Sequence, residues 1–104
     1  MSTRDYIVML YDFYGELFSD KQKKYFEEYY FQNLSLGEIG LNFGVSRNAI
    51  HKVIHGVEEK LKFYEEKLGL FRKNQIICDI IQEEKDEKLK KKLEGLILGD
   101  EICE

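Results

Sequence analysis

Residues 40–56 read GLNFGVSRNAIHKVIHG, and this stretch decides the fold of the chain. It holds one arginine, one lysine and two histidines but no aspartate or glutamate, although the 104-residue chain carries a net charge of −4. A local basic cluster most often faces an anionic partner, and a nucleic-acid backbone is the commonest such partner. The spacing of the neighbouring residues predicts how these cations are presented.

Two capped helices are predicted on either side of a tight turn. Ser35 and Glu38 have the spacing of a capping box, so a short helix starts after Ser35 and ends before Gly44, a residue suited to the turn. Ser46 caps the following helix, which is predicted to span residues 47–68 because no strong helix breaker interrupts it. Two helices joined in this way form a helix-turn-helix.

The two predicted helices divide their residues between packing and an exposed polar face. Packing requires apolar residues where the helices cross, a small residue in the first helix and a positive-φ residue in the turn. The residues expected to meet these needs are Leu36, Ile39, Gly40, Phe43, Gly44, Val45, Ile50 and Val53. The remaining side chains can bond phosphates or base edges, and they form the predicted DNA-binding face: Ser46, Arg47, Asn48, His51, Lys52 and His55.

The composition predicts an all-α protein built around one core. The chain is 35% charged and 43% hydrophobic, and it contains seven tyrosines, seven phenylalanines and no proline. The expected fold is a helix-turn-helix of winged-helix-like or sigma region-4-like type, with a three- to four-helix core and additional C-terminal helices. We expect a helix-turn-helix domain over residues 1–68 and a C-terminal helical extension over residues 69–104.

Two further helices are predicted before the helix-turn-helix. The first covers residues 4–18, and its inward side chains are expected to be Ile7, Leu10, Tyr14, Leu17 and Phe18. The second begins at Asp20, where Ser19 and Gln22 have capping-box spacing. Its aromatic residues could stack bases, but helical spacing favours a core position for Tyr25, Phe26, Tyr29 and Tyr30.

No part of the sequence predicts catalysis, a cofactor or a metal site. The chain has no phosphate-binding loop, no nucleophile elbow and no paired cysteine motif. His51 and His55 lie one helical turn apart, with Glu59 a turn further on. Without a cysteine or a fixed third ligand, contact with a nucleic-acid groove or with solvent is favoured over metal binding.

A cytoplasmic protein is expected. No apolar run approaches the roughly 18 residues of a membrane span, and the first ten residues lack the apolar core of a signal peptide. Cys78 and Cys103 are far apart in the sequence and belong to no paired motif, so both are predicted to be ordinary thiols in a reduced compartment.

Two resemblances extend this interpretation. LSLGEIGLNFGVSRNAIHKVIHGVEEKL, residues 34–61, resembles the C-terminal helix-turn-helix of bacterial sigma factors, which reads promoter DNA. A longer stretch, LYDFYGELFSDKQKKYFEEYYFQNLSLGEIGLNFGVSRNAIHKVI with YEEKLGLF further on, resembles the YlxM-like helix-turn-helix family of Firmicutes. That resemblance implies a role in assisting or regulating the signal recognition particle pathway.

The leading hypothesis is a regulatory protein that binds duplex DNA. Residues 35–57 carry two cations against one anion and form the only net-positive third of the chain. The alternative is an accessory factor of the signal recognition particle, in which the same face meets the particle's RNA or its GTPase subunit and DNA is not bound.

A homodimer is also expected, because one face with two formal cations makes few phosphate contacts. The tail also carries apolar stripes, with more apolar side chains than one small core needs to bury. These stripes are formed by Ile76, Ile77, Ile80 and Ile81 and by Leu89, Leu93, Leu96 and Ile97. The other possibility is that the tail folds back over the first helix and completes the core of a monomer.

Overall fold

Six α-helices make up the described part of the chain, residues 1–97, in a computed structural model. In chain order they are α1 (Thr3–Tyr14), α2 (Asp20–Tyr30), α3 (Leu36–Phe43), α4 (Arg47–Leu68), α5 (Leu70–Glu83) and α6 (Glu87–Glu94). A 3-10 turn, Gly15–Leu17, links α1 to α2, and residues 1–97 contain no strand. The prediction of an all-α protein is confirmed.

Side-chain caps start α2, α3 and α4 where the sequence predicts. Ser19 and Gln22 each bond the other's backbone at the start of α2. Ser35 and Glu38 do the same at the start of α3, so both capping boxes are confirmed. The hydroxyl of Ser46 accepts a hydrogen bond from the backbone N–H of the third residue of α4 at 3.1 Å.

The first helix is shorter than predicted. α1 ends at Tyr14, where the chain tightens into the 3-10 turn. A 3-10 turn completes a rotation in about three residues, so it moves Leu17 off the buried side. Leu17 is 60% exposed, and the prediction that it points inward is wrong. Tyr11 is buried in its place, stacked on the ring of Phe26 at a centroid distance of 4.1 Å.

The long helix α4 contributes to both apolar clusters of the core. Ile50 and Ile54 pack with α2 and α3, and Val57 and Leu61 pack with α1 and α2. The first cluster contains Tyr25, Ile39, Ile50 and Ile54, and the second contains Ile7, Leu10, Tyr11, Tyr14, Phe18, Phe26, Val57 and Leu61. One helix therefore connects the helix-turn-helix to the N-terminal helices.

A buried carboxylate joins α1, α4 and α5. Glu65 of α4 is 7% exposed and accepts the hydroxyl hydrogen of Tyr14 at 2.7 Å. It also accepts the backbone N–H groups of Phe71 at 3.0 Å and Arg72 at 3.1 Å. The Tyr14 hydroxyl oxygen accepts the N–H of Leu70 at 3.0 Å. These acceptors satisfy the first N–H groups of α5, since the glycine before it has no side chain to cap them.

The tail begins against α1 and then leaves the core. The ring of Phe71 packs edge-on against Tyr6 at 5.7 Å and Phe13 at 6.0 Å, so the first turn of α5 folds back onto α1. The buried residues of α5 are Asn74, Cys78 and Ile81. The predicted isoleucine stripe is therefore divided, because Ile76 and Ile80 lie on the opposite side, 54% and 45% exposed.

The cysteine prediction does not hold. Cys78 lies on the inward side of α5 and is disulfide-bonded, so the prediction of a free thiol there is wrong. That prediction relied on separation in sequence, which does not limit the approach of two cysteines in a folded chain. Cys103 and the end of the predicted extension belong to residues 98–104, which lie outside the described part.

The length and polarity of the helices bear on membrane crossing. The longest, α4, spans 22 residues but carries charged side chains along its whole length. Within residues 1–97, no helix combines the length and the apolar character needed to cross a membrane.

Replacing Tyr14 by phenylalanine tests the buried network. Tyr14→Phe should lower the free energy of unfolding by about 1–3 kcal/mol, because Glu65 and the Leu70 N–H each lose a partner. Denaturant unfolding measures the loss. Tyr29→Phe is the matched control, since the Tyr29 hydroxyl makes no hydrogen bond to residues 1–97. An equal loss in both variants would contradict a specific role for the network.

The wild type and the Tyr14→Phe variant also give a test at alkaline pH. Burial raises the pKa of Tyr14 from 10.0 to about 12, and the hydrogen bond to Glu65 acts in the same direction. The unfolded chain releases this proton first, so the stabilising contribution is complete below pH 10 and declines as the pH rises from 10 to 12. The difference in unfolding free energy between the wild type and Tyr14→Phe should shrink across that range. A constant difference would contradict this account.

Candidate nucleic-acid interface

Two glycines fix the turn between α3 and α4. Gly44 has φ 69° and ψ 31°, the left-handed conformation predicted for it. Gly40 lies where the backbones come closest, and its carbonyl accepts the N–H of Val45 at 3.0 Å. A Cβ added to Gly40 would lie 2.6 Å from the carbonyl oxygen of Val45. Any side chain at Gly40 would therefore push α3 away from the start of α4.

The residues predicted to pack the helix-turn-helix are placed as follows. Three are buried, namely Ile39, Gly40 and Ile50. Three are half-buried against the same cluster, namely Leu36, Phe43 and Val53. Gly44 forms the turn. Val45 departs from the prediction, because its side chain is 36% exposed and the close contact with α3 uses its carbonyl oxygen.

The polar residues of the N-terminal half of α4 form one exposed surface, which we call the recognition face. Its members are Ser46, Arg47, Asn48, His51, Lys52 and His55, and each is exposed. With about 100° of turn per residue, Asn48, Lys52 and His55 lie opposite the buried Ile50 and Ile54. Arg47 and His51 lie at one edge of that exposed side. The first turn of α4 contains no acidic residue. The positive end of the helix dipole therefore meets solvent without a local carboxylate to offset it.

The cap at Ser46 limits what this residue can do on the recognition face. Its hydroxyl oxygen accepts the N–H of Ala49, so the oxygen is committed to starting α4. The hydroxyl hydrogen stays able to donate, since a serine hydroxyl is both donor and acceptor. Ser46 can thus hold the helix start and donate to one anionic oxygen at the same time.

Two acidic side chains border the recognition face at its C-terminal edge. Nδ1 of His55 lies 3.7 Å from Oε1 of Glu58, and its Nε2 lies 4.0 Å from Oε1 of Glu59. Glu58 also accepts the hydroxyl hydrogen of Tyr30. The sequence prediction considered Glu59 only as a possible metal ligand and missed Glu58, although its spacing of three residues from His55 was the signal for this contact. The cationic part of the face therefore runs from Arg47 to Lys52.

Two alternative functions, metal binding by His51 and His55 and base stacking by the aromatic residues of α2, can be compared with the structure. The rings of His51 and His55 are nearly parallel at 6.1 Å. Within residues 1–97, no set of three histidine, cysteine, aspartate or glutamate side chains has metal-binding geometry. The aromatic residues of α2 belong to the core, since Tyr25 and Phe26 are buried and the guanidinium of Arg4 lies 4.5 Å from the ring centroid of Tyr30.

α3 adds an exposed apolar residue that the sequence prediction did not assign to the site. Leu41 is 85% exposed, and the neighbouring Asn42 is exposed as well. Each helical residue turns about 100°, so Leu41 lies on the side of α3 away from the buried Ile39. This angular position was the available signal. A leucine in that position can contact an apolar group of a partner.

The sequence comparisons agree with this geometry. The model of the UPF0122 family, described as "Putative helix-turn-helix protein, YlxM / p13 like", matches residues 1–98. A UPF0122 protein of Caldanaerobacter subterraneus subsp. tengcongensis is 43% identical over 81 residues, which is 78% of this chain and 69% of that protein.

Two further UPF0122 proteins are similar to the chain. The one from Thermoanaerobacter sp. strain X514 is 42% identical over 89 residues, covering 86% of this chain and 72% of that protein. The one from Listeria innocua is 54% identical over 67 residues, covering 64% of this chain and 61% of that protein. None of these descriptions mentions the signal recognition particle, so the link to that pathway stays a hypothesis.

The two glycines of α3 give a matched test of the close approach. Gly40→Ala should lower the free energy of unfolding by about 1–3 kcal/mol, because the new methyl group overlaps the Val45 carbonyl. Gly37→Ala should leave it unchanged or raise it by up to about 1 kcal/mol, since the nearest atom to its added Cβ is 3.9 Å away. Thermal unfolding of the two variants compares them. Equal effects would show that the helix crossing does not require Gly40.

Proposed function

The chain belongs to the YlxM/p13-like helix-turn-helix family, and we propose that it acts as a regulatory protein that binds duplex DNA. The observation that carries the proposal is the recognition face itself. A stretch of α4 with exposed polar and cationic side chains and no acid stands on a helix whose opposite side is buried. A helix of this kind, projecting from a rigid turn, has the shape that enters a major groove.

The members of the recognition face suit different parts of a duplex. Arg47 and Lys52 supply the two formal charges and would neutralise phosphates or bond a guanine edge. Asn48 lies in the first turn of α4, and its side-chain amide can bond an adenine edge with two hydrogen bonds. His51 lies about one turn further along α4, where its side chain could contact a phosphate or a base edge. His55 is held near two carboxylates, so its role is at the margin of the contact.

A second candidate is an accessory role on the signal recognition particle. The observations that favour it are the exposed Leu41, which suits a protein partner, and the small number of cations on a chain of net charge −4. In that case the recognition face would contact the particle's GTPase subunit or its RNA. A binding assay that compares duplex DNA, that RNA and that subunit at one salt concentration distinguishes these partners.

Charge reversal on the recognition face tests the leading proposal. The double variant Arg47→Glu with Lys52→Glu should bind duplex DNA at least about 100-fold more weakly than the wild type. The slope of log affinity against log salt should become shallower by about 2, because two phosphate contacts are lost. Fluorescence anisotropy with a labelled duplex at several salt concentrations measures both quantities.

The control variant makes the same change of charge on the same helix, but at residues outside the recognition face. Lys60 and Lys67 are exposed on α4, about 12 Å and 22 Å further along its axis than Lys52. Lys60→Glu with Lys67→Glu should reduce affinity by less than about 5-fold, as expected for charges outside the contact. If the two double variants weaken binding equally, the recognition face does not read the duplex and the proposal fails.

Removing an acidic side chain at the border of the recognition face should strengthen DNA binding instead of weakening it. Glu59→Gln should raise affinity for duplex DNA by about 2- to 5-fold, because a carboxylate near His55 and near the phosphates is removed. Glu66→Gln is the control, as it removes the same charge about two turns further along α4. The same anisotropy titration measures both variants. A loss of affinity in Glu59→Gln would contradict the position assigned to the duplex.

A further inference from the structure

The tail helices carry an apolar surface that the rest of residues 1–97 does not cover. We define the tail stripe as Ile76 and Ile80 of α5, Leu89 and Leu93 of α6, and Leu96 beyond α6. Ile76, Ile80, Leu89 and Leu96 are 54%, 45%, 41% and 61% exposed, and Leu93 is half-buried. The two helices are in contact, and several exposed apolar side chains on neighbouring helices of a small protein favour a contact with another molecule.

The short helix α6 itself indicates that something packs against the tail stripe. It has eight residues, none of them buried, and its main contacts are with α5. Isolated helices shorter than about 12–15 residues are marginal in water, because few hydrogen bonds offset the cost of nucleation. Burial of Leu89 and Leu93 against a second surface would supply the stability that α6 lacks alone.

Charged residues beside the tail stripe identify the occupant. Asp79 and Glu83, one turn apart, lie next to Ile76 and Ile80 on α5. Lys88 and Lys92, also one turn apart, lie next to Leu89 and Leu93 on α6. All four are exposed, and within residues 1–97 none of them is in an ion pair. The C-terminal half of α5 thus carries an acidic row and α6 a basic row, while the cations Arg72 and Lys73 lie in the first turn of α5.

We propose that the tail stripe is a two-fold interface between two copies of this chain, in which α5 of each copy packs on α6 of the other. In a two-fold interface each copy contributes the same surface. If charged groups pair across it, that surface must carry both the acidic and the basic groups. The acidic row and the basic row meet this requirement when α5 faces α6. Pairing α5 with α5 would bring the acidic rows together and pairing α6 with α6 the basic rows, and both arrangements are repulsive.

The proposed dimer interface does not depend on whether the recognition face binds DNA, RNA or a protein. The tail stripe lies outside the helix-turn-helix, so loss of DNA binding in the recognition-face variants leaves the dimer proposal untouched, and loss of the dimer leaves the recognition face intact. The proposal also assigns a role to Ile76 and Ile80, which lie on the side of α5 opposite its buried residues.

Sedimentation equilibrium of the full chain without reductant gives the first test, because a reducing agent would break the disulfide at Cys78 on α5. Non-reducing gel electrophoresis should show that any dimer is not covalent. The wild type should be a dimer at tens of micromolar. Ile76→Glu with Ile80→Glu should raise the dissociation constant at least about 10-fold, while Leu41→Glu, at a more exposed residue on α3, should leave it unchanged. A monomeric wild type, or a dimer that survives the double change, would overturn the proposal.

A charge exchange then tests the pairing of α5 with α6. One variant carries Asp79→Lys with Glu83→Lys, and the other carries Lys88→Glu with Lys92→Glu. Each alone has like charges facing across the interface and should dimerise at least about 10-fold more weakly than the wild type. A mixture of the two restores opposite charges in both contacts and should return to near the wild-type dissociation constant. A mixture no tighter than its components would overturn the pairing, and circular dichroism confirms that each variant is folded.

Discussion

The burial of one stripe along α4 is the constraint on which the other elements depend. The stripe runs through Ile50, Ile54, Val57, Leu61 and Glu65, at the three- and four-residue steps that keep side chains on one side of a helix. α1, α2 and α3 all pack against it. Because this side of α4 is fixed by the core, its opposite side is fixed as well. The exposure of the recognition face is therefore a direct result of core packing.

The last position of that stripe shows how the tail acquires a defined direction. A buried carboxylate is costly unless hydrogen-bond donors surround it. Glu65 finds three donors, one from Tyr14 and two from the first turn of α5. Any other placement of α5 would remove two of these three donors and leave Tyr14 to satisfy the carboxylate. The polar network therefore selects one arrangement of α5 among several that apolar packing alone would permit.

Local rules explain which parts of the structure could be predicted from the sequence. The capping boxes at Ser19 and Ser35 and the left-handed turn at Gly44 depend on a few adjacent residues, and the structure has all three. The burial of Tyr11 depends on a partner in another helix, and the exposure of Leu17 depends on a local change of helix type. The division of the isoleucines in α5 likewise depends on which side α1 covers. Periodicity identifies a stripe, but it does not identify the side that the core will use.

The unbroken course of α4 has a consequence for how this chain can change in length. Each residue of an α-helix advances the axis by about 1.5 Å and turns it by about 100°. α4 passes from the recognition face to the core residues at its middle through Gly56, which is exposed and has open space around it. A single residue inserted there would turn Ile50 and Ile54 by about 100° relative to Val57 and Leu61, so the two halves of the buried stripe could no longer face the same core. Gly56 therefore has room for other side chains, but the number of residues between Ile54 and Val57 is fixed by the core. The same number fixes the direction in which Arg47 and Lys52 project from the helix axis.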